Sequence, residues 1–258
     1  MGAFLAILIF VGFIFLLMAV RKERNSNHDV SSSKVGYLPK PNSSELSYSS
    51  STTNIQADWN TAIFGEEVFK DSVNLYQQGM QIYQLSPENA SLYFEKSFNS
   101  IQRLRNSYSN NPIFYLNLVE CAMGFDYDVA IANGYKFFNL IGRETLRLDQ
   151  IATSYDVSRK MYKLLILRGK FDEGKRFASK TIHLIDEILK RTHNESLGRE
   201  RDIAGYFYGS LTEGDYSVKR NIVPSFDSPE PSCYFDIFNE PQMMKKIENW
   251  VKEIMNYF

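Results

Sequence analysis

Gly2 to Val20 is an unbroken uncharged run of 19 residues dominated by Leu, Ile, Phe and Val, and no other feature restricts this chain as severely. As a helix it would cover about 28 Å at ~1.5 Å per residue, close to the roughly 30 Å of a bilayer's hydrocarbon core. A cleaved export signal wants a basic leading region, a shorter apolar core and a small-x-small cleavage site. Here no Lys or Arg precedes Arg21, the core is long, and Leu17-Met18-Ala19 makes a poor cleavage pattern. Residues 1–20 therefore read as one transmembrane anchor, with removal as an export signal the alternative. Arg21, Lys22 and Arg24 follow at once, and the bias of basic flanks toward the cytoplasm puts the rest of the chain on that side. In the opposite orientation the domain is extracytoplasmic and Asn42-Ser43-Ser44, Asn89-Ala90-Ser91 and Asn194-Glu195-Ser196 become glycosylation sequons.

Residues 21–58 form the basic flank and a Ser/Asn-rich tether with Ser31-Ser32-Ser33, Ser49-Ser50-Ser51, Pro39 and Pro41. So few large apolar side chains cannot offset the entropy of ordering the stretch. As a flexible coil it would hold a domain on the order of 30 Å from the anchor.

Beyond the tether the chain is long enough to bury a core. Of its 29 basic and 30 acidic residues, five and four precede Trp59, leaving 24 against 26. That balance gives no basic excess for phosphate neutralisation, so no nucleic-acid partner is expected. Two cysteines, Cys121 and Cys233, build neither a disulfide scaffold nor a structural zinc site. Periodicity between residues 59 and 220 is helical: Val68, Ser72, Leu75, Tyr76, Gly79, Ile82 and Tyr83 follow i, i+3, i+4 spacing, and Leu92, Phe94, Phe98, Ile101 and Leu104 do so less regularly. Further helices are predicted over Ile113–Met123, Asp128–Ile141 and Leu148–Leu167, and another after the Gly169–Gly174 turn. The fold class is all-α. Residues 221–258 differ: Pro224, Pro229, Pro231 and Pro241 stand among Phe226, Tyr234, Phe235, Ile237 and Phe238, and an amphipathic helix from Gln242 to Phe258 would cap the last hairpin.

Helix, short turn, helix recurs, and two of the hairpins carry a pattern. Leu75-x3-Gly79-x3-Tyr83 is followed by Ala90-x3-Phe94-Glu95-Lys96-Ser97-Phe98; Met161-Tyr162-x2-Leu165 is followed by Gly169-Lys170-Phe171-Asp172-Glu173-Gly174-x3-Ala178-x2-Thr181. These resemble tetratricopeptide repeats, the first also being similar to the related Sel1-like repeats, over about 70 residues. The resemblance implies antiparallel hairpins stacked as a TPR-like α-solenoid, each burying one face against the next; an unrelated helical bundle is the alternative. It also implies an inner groove lined by first-helix residues, here Tyr76, Met80 and Tyr83 in one hairpin and Arg159, Lys163 and Ile166 in the other, the two cations suiting an acidic segment. The Lys/Asn clamp with which some members hold a terminal carboxylate is not reproduced.

Catalytic patterns are sparse. His28, His183 and His193 have no second histidine at ligand spacing, and the nucleophile-elbow and phosphate-loop signatures are missing. No metal, cofactor or enzymatic role is therefore expected, and the leading reading is a membrane-anchored scaffold or adaptor for a protein or peptide partner, with the bilayer engaged through residues 2–20. The competing reading, an exported or membrane-bound enzyme with an unrecognised site, would gather Asp126, His183 or Glu187 in a pocket.

Overall fold

Helix starts are set by the residues that flank them. Asn60 accepts the Ala62 N–H at 2.8 Å and opens a short 3-10 turn, Thr61–Gly65. Asn111 accepts the Ile113 N–H at 2.8 Å and Asp126 the N–H groups of Asp128 and Val129 at 2.8 and 3.1 Å, each filling orphan donors of a first turn. Pro87 and Pro112 occupy first-turn positions, where a missing N–H costs nothing.

In the computed structural model, which describes residues 57–142, 146–192, 196–214 and 229, the helices are α1 (Glu67–Ile82), α2 (Pro87–Gln102), α3 (Pro112–Met123), α4 (Tyr127–Ile141), α5 (Leu148–Leu167), α6 (Phe171–Arg191) and α7 (Ser196–Thr212), with a single turn at Arg105–Tyr108. No strand occurs among the described residues, and the all-α class holds. No helix among them is long and apolar enough to cross a membrane. The apolar run at 2–20, most of the tether, and the proline-aromatic segment and last helix, apart from Pro229, lie outside the described residues.

Pairing is local. α1 packs along α2, α3 along α4, α5 along α6, and α7 along α6; α2 meets α3, α4 meets α5, and α3 also touches α5. The principal contacts among the described residues thus join elements adjacent in sequence, with the α3–α5 contact the addition. One apolar core threads all seven helices, from Phe69 through Phe98, Leu118, Phe137, Met161 and Phe177 to Phe207. A smaller cluster of Ile151, Leu184 and Ile188 closes the far ends of α5 and α6.

Glycines set the close approaches. Phe94 is fully buried with its ring over Gly79 of α1, where an added Cβ would stand 2.8 Å from Cε1; at Gly124, just past α3, a Cβ would overlap the same side chain more severely. Gly174 lets α6 approach α5, since a Cβ there would lie 2.7 Å from Cγ1 of Ile166. The Tyr162 backbone carbonyl also faces Gly174, while the Tyr162 ring packs toward Phe207 of α7, 5.8 Å between ring centres. In the α3–α4 hairpin Tyr127 and Ala130 are buried at the start of α4.

Buried hydroxyls tie the helices. The Ser97 Oγ donates to the Ser72 carbonyl at 2.8 Å, which commits its only proton; it must then accept from the Ser72 hydroxyl at 2.9 Å and from the Cys121 thiol at 3.2 Å. Three helices meet at this point. Ser158 and Thr181 form the corresponding link between α5 and α6, 2.9 Å apart.

Candidate functional site

The first helices of successive hairpins, α3 and α5, together with α7, share a face on which charged side chains interlock. Asp156, Arg159 and Lys160 sit one helical turn apart on α5, so i, i+3 and i+4 geometry brings them together. Lys160 Nζ contacts Asp156 Oδ2 at 2.5 Å and pairs with Glu120 of α3. Arg159 contacts Asp156 at 3.3 Å and Glu200 of α7 at 3.7 Å. The row runs Glu120, Lys160, Asp156, Arg159, Glu200 across three helices, with the Arg159 guanidinium also over the Tyr155 ring, 5.9 Å from its centre.

Side-chain exposure along this row falls from 30% at Arg159 to 6% at Lys160, and the electrostatics follow from that enclosure. Burial alone would lift the Asp156 carboxyl, but the Lys160 and Arg159 cations and their hydrogen bonds outweigh it and hold the group below the usual carboxylate range. Burial would likewise lower Lys160, yet Asp156 and Glu120 overcome it and keep the ammonium charged to higher pH than usual. Burial pushes the Tyr155 phenol up. Asp156, Arg159 and Lys160 thus stay ionised and Tyr155 stays neutral, a fixed array that suits recognition and not proton transfer near neutrality.

Of the residues the sequence placed in a groove, Tyr76, Met80 and Tyr83 are half-buried on α1 and at its end. Tyr76 rests against Phe94, ring centres 5.1 Å apart, and packs on the main core. Arg159 lies on the charged row, its guanidinium already facing Asp156 and Glu200. Lys163 is 2% exposed and Ile166 fully buried, the latter against Gly174. Arg159, Lys163 and Ile166 thus lie along one side of α5, with Ile166, two turns beyond Arg159, covered by α6 at Gly174. Sequence reasoning did not pick out Glu120, Asp156, Lys160 or Glu200; the Asp156-x2-Arg159-Lys160 spacing within α5 was the available signal, whereas the α3 and α7 partners lie 40 residues away on either side of Lys160.

The other candidates have local roles. Asp126 caps α4. Glu187 pairs with Lys190 at 2.5 Å and Arg191 at 3.7 Å, which hold its carboxyl below the usual range, the Lys190 hydrogen bond foremost. Asp186 receives the Arg201 Nε–H at 2.6 Å, and His183 is exposed on α6. Burial pushes the Cys121 thiol up to about 12, so it stays protonated in the core. Among the described residues no three His, Cys, Asp or Glu side chains converge as a metal centre requires. No protein-family model matches this chain, and neither a curated protein nor a solved structure matches it significantly.

Proposed function

We propose that this chain is a single-pass membrane protein whose helical hairpins stack as a TPR-like α-solenoid and serve as a docking platform for a protein or peptide, on the cytoplasmic side. The observation that carries the reading is the face shared by α3, α5 and α7, where a charged row spans three helices from different hairpins. Such a row gives orientation and selectivity to a binding surface, while aromatic and Met side chains such as Tyr76, Met80 and Tyr83 supply contact area at low entropic cost. Helices that contact chiefly their neighbours in sequence suit a stack in which each hairpin contributes one strip of that surface. The uncharged run at 2–20 and the basic cluster behind it support the anchor and its side.

The test is capture from native membranes by the full chain and by the same chain carrying Met80→Glu and Tyr83→Glu. The reading expects a defined protein to co-purify with the first and to be lost with the second, at unchanged membrane content and circular dichroism. Identical capture by both would overturn it.

A further inference from the structure

Most of the principal contacts between helices join neighbours in sequence, whereas the stretch that opens the described domain reaches past α1 and α2 to the second hairpin. The Asp58 N–H donates to the Asn110 carbonyl at 2.9 Å, and the Asn60 carbonyl accepts from Asn111 Nδ2 at 2.6 Å, 51 residues away. The Trp59 and Phe137 rings meet edge to face, 6.0 Å between centres, which ties the stretch to α4. Ile63 is fully buried in the main core, and Trp59 packs against that core.

The stretch is bonded within itself and lightly held from outside. Asp58 Oδ1 accepts the Asn60 N–H at 3.1 Å and Asn60 Oδ1 the Ala62 N–H at 2.8 Å, so residues 58–62 keep their shape as a body. Asp58, Asn60, Thr61, Ala62, Phe64 and Gly65 are exposed, and from 57 to 65 the buried residues are Ala57 and Ile63. Few buried apolar groups and exposed backbone bonds mark the parts of a protein that open ahead of the rest.

A pivot stands at its far end. A Cβ added to Gly65 would meet nothing within 4 Å, so the backbone there is free of side-chain walls. Glu66, by contrast, stays with the helices: its carbonyl accepts the Phe69 and Lys70 N–H groups at 3.1 Å, and its carboxylate accepts from the Tyr108 hydroxyl at 2.8 Å. The bond from the Glu66 N–H to the Ile63 carbonyl, 3.2 Å, crosses the pivot and is given up on opening. Rotation at Gly65 leaves α1 in place, because α1 has its own ties to α2: the Ser97 hydroxyl on the Ser72 carbonyl at 2.8 Å, and the Phe94 ring over Gly79.

We propose that residues 57–65 are a releasable strap, which closes over Phe137 and the α2–α3 link and swings open about Gly65 as one body while the helices stay folded. Opening uncovers the Phe137 edge of α4 and frees a stretch that spans up to about 30 Å when extended. In a chain held by its N-terminus, as proposed above, any pull on the tether reaches Asp58 and Trp59 first. That consequence rests on the anchor; the opening itself is a property of the isolated chain.

The test uses the purified full chain carrying Ile63→Cys and Cys233→Ser, with iodoacetamide labelling of the thiol at position 63 timed against that of the core thiol Cys121. The strap predicts labelling far slower than a free thiol yet on the order of 100-fold faster than Cys121, whose exposure needs the helices to part. Adding Asn111→Ser, which keeps a capping oxygen for α3 and removes the donor to Asn60, should speed labelling at 63 by roughly 2- to 10-fold. Labelling at the Cys121 rate would make the stretch part of the core, and labelling at the free-thiol rate would mean it never closes. A rate at 63 indifferent to Asn111→Ser would mean it does not open as one body. Each of these overturns the proposal. Hydrogen exchange of the unsubstituted chain gives the same comparison without a core substitution: the Asp58 N–H should be protected, but exchange well before the Leu164 and Leu165 N–H groups of α5, and exchange together with them would overturn the strap.

Discussion

Phe94 shows how much of the first hairpin depends on a single side chain. Its buried ring lies over Gly79 and beside Gly124, so α1, α2 and the end of α3 are all fitted to it. On an exposed helix, glycine to alanine gains about 1 kcal/mol. At Gly79 the ring would have to move, and overpacking of a tight core costs about 1–3 kcal/mol, so Gly79→Ala is expected to destabilise. Gly124→Ala should cost more, because the overlap there reaches the ring's attachment and not only its edge. Gly134→Ala, by contrast, meets the Met161 thioether, which can change rotamer, and should be the mildest of the three. Urea unfolding of the three variants gives this order directly. Lys160 is the other informative position. Lys160→Met leaves Asp156 and Glu120 without their shared cation and should destabilise by about 2–3 kcal/mol. The signs with pH follow from the two shifts. The contribution of Asp156, whose folded carboxyl is depressed, is present above about pH 4 and lost as pH falls through the folded value. That of Lys160, whose folded ammonium is raised, is present below about pH 10 and lost as pH rises through the folded value. The variant should therefore show a shallower loss of stability than the parent on the alkaline side. Sequence periodicity revealed that these α5 residues share a helix, but not that Lys163 and Ile166 are enclosed, since a 3.6-residue repeat marks a stripe without saying which neighbour covers it.

At the scale of the elements, the starts and stops were the most legible part. α3 and α4 begin one residue before the Ile113 and Asp128 at which the sequence reading starts them, and the structure shows Asn111 and Asp126 as their caps, the second a role the sequence reading did not assign. α5 begins and ends at the residues its apolar pattern predicts. The caps are not equal. Asp126 makes local hydrogen bonds at a half-exposed start, whereas Asn111 is 1% exposed, caps α3 and also donates through Nδ2 to the Asn60 carbonyl at 2.6 Å. Asp126→Ala should thus cost about 1 kcal/mol. Asn111→Ala, which also removes the part-buried hydrogen bond to the Asn60 carbonyl, should cost more, about 2 kcal/mol. Thermal or urea unfolding separates the two, and equal costs would mean the Asn111–Asn60 link is not maintained in solution. What the sequence did not disclose at this scale is the joining of hairpins: Glu120 with Lys160 and Arg159 with Glu200 are contacts between helices 40 or so residues apart, and no local pattern specifies them.

For the molecule as a whole, the near balance of charge and the high aromatic content describe two different things once the chain is divided. Part of the apolar content belongs to the run at 2–20, and the described residues fold as helical hairpins, three of whose helices share an interlocked row of three carboxylates and two cations. Such a row adds little net charge to steer a partner, so on the proposed reading selectivity has to come from geometry and from the aromatic positions. On the proposed reading the domain, and not the anchor, brings other proteins to a cytoplasmic surface. The most direct measurement is proximity labelling in the native membrane, with the labelling enzyme fused to the C-terminus of the full chain and, in the control, to residues 1–58 alone. The account predicts cytoplasmic proteins labelled by the full chain well above the control. Labelling of extracytoplasmic proteins, or the same set of proteins from both fusions, would contradict it.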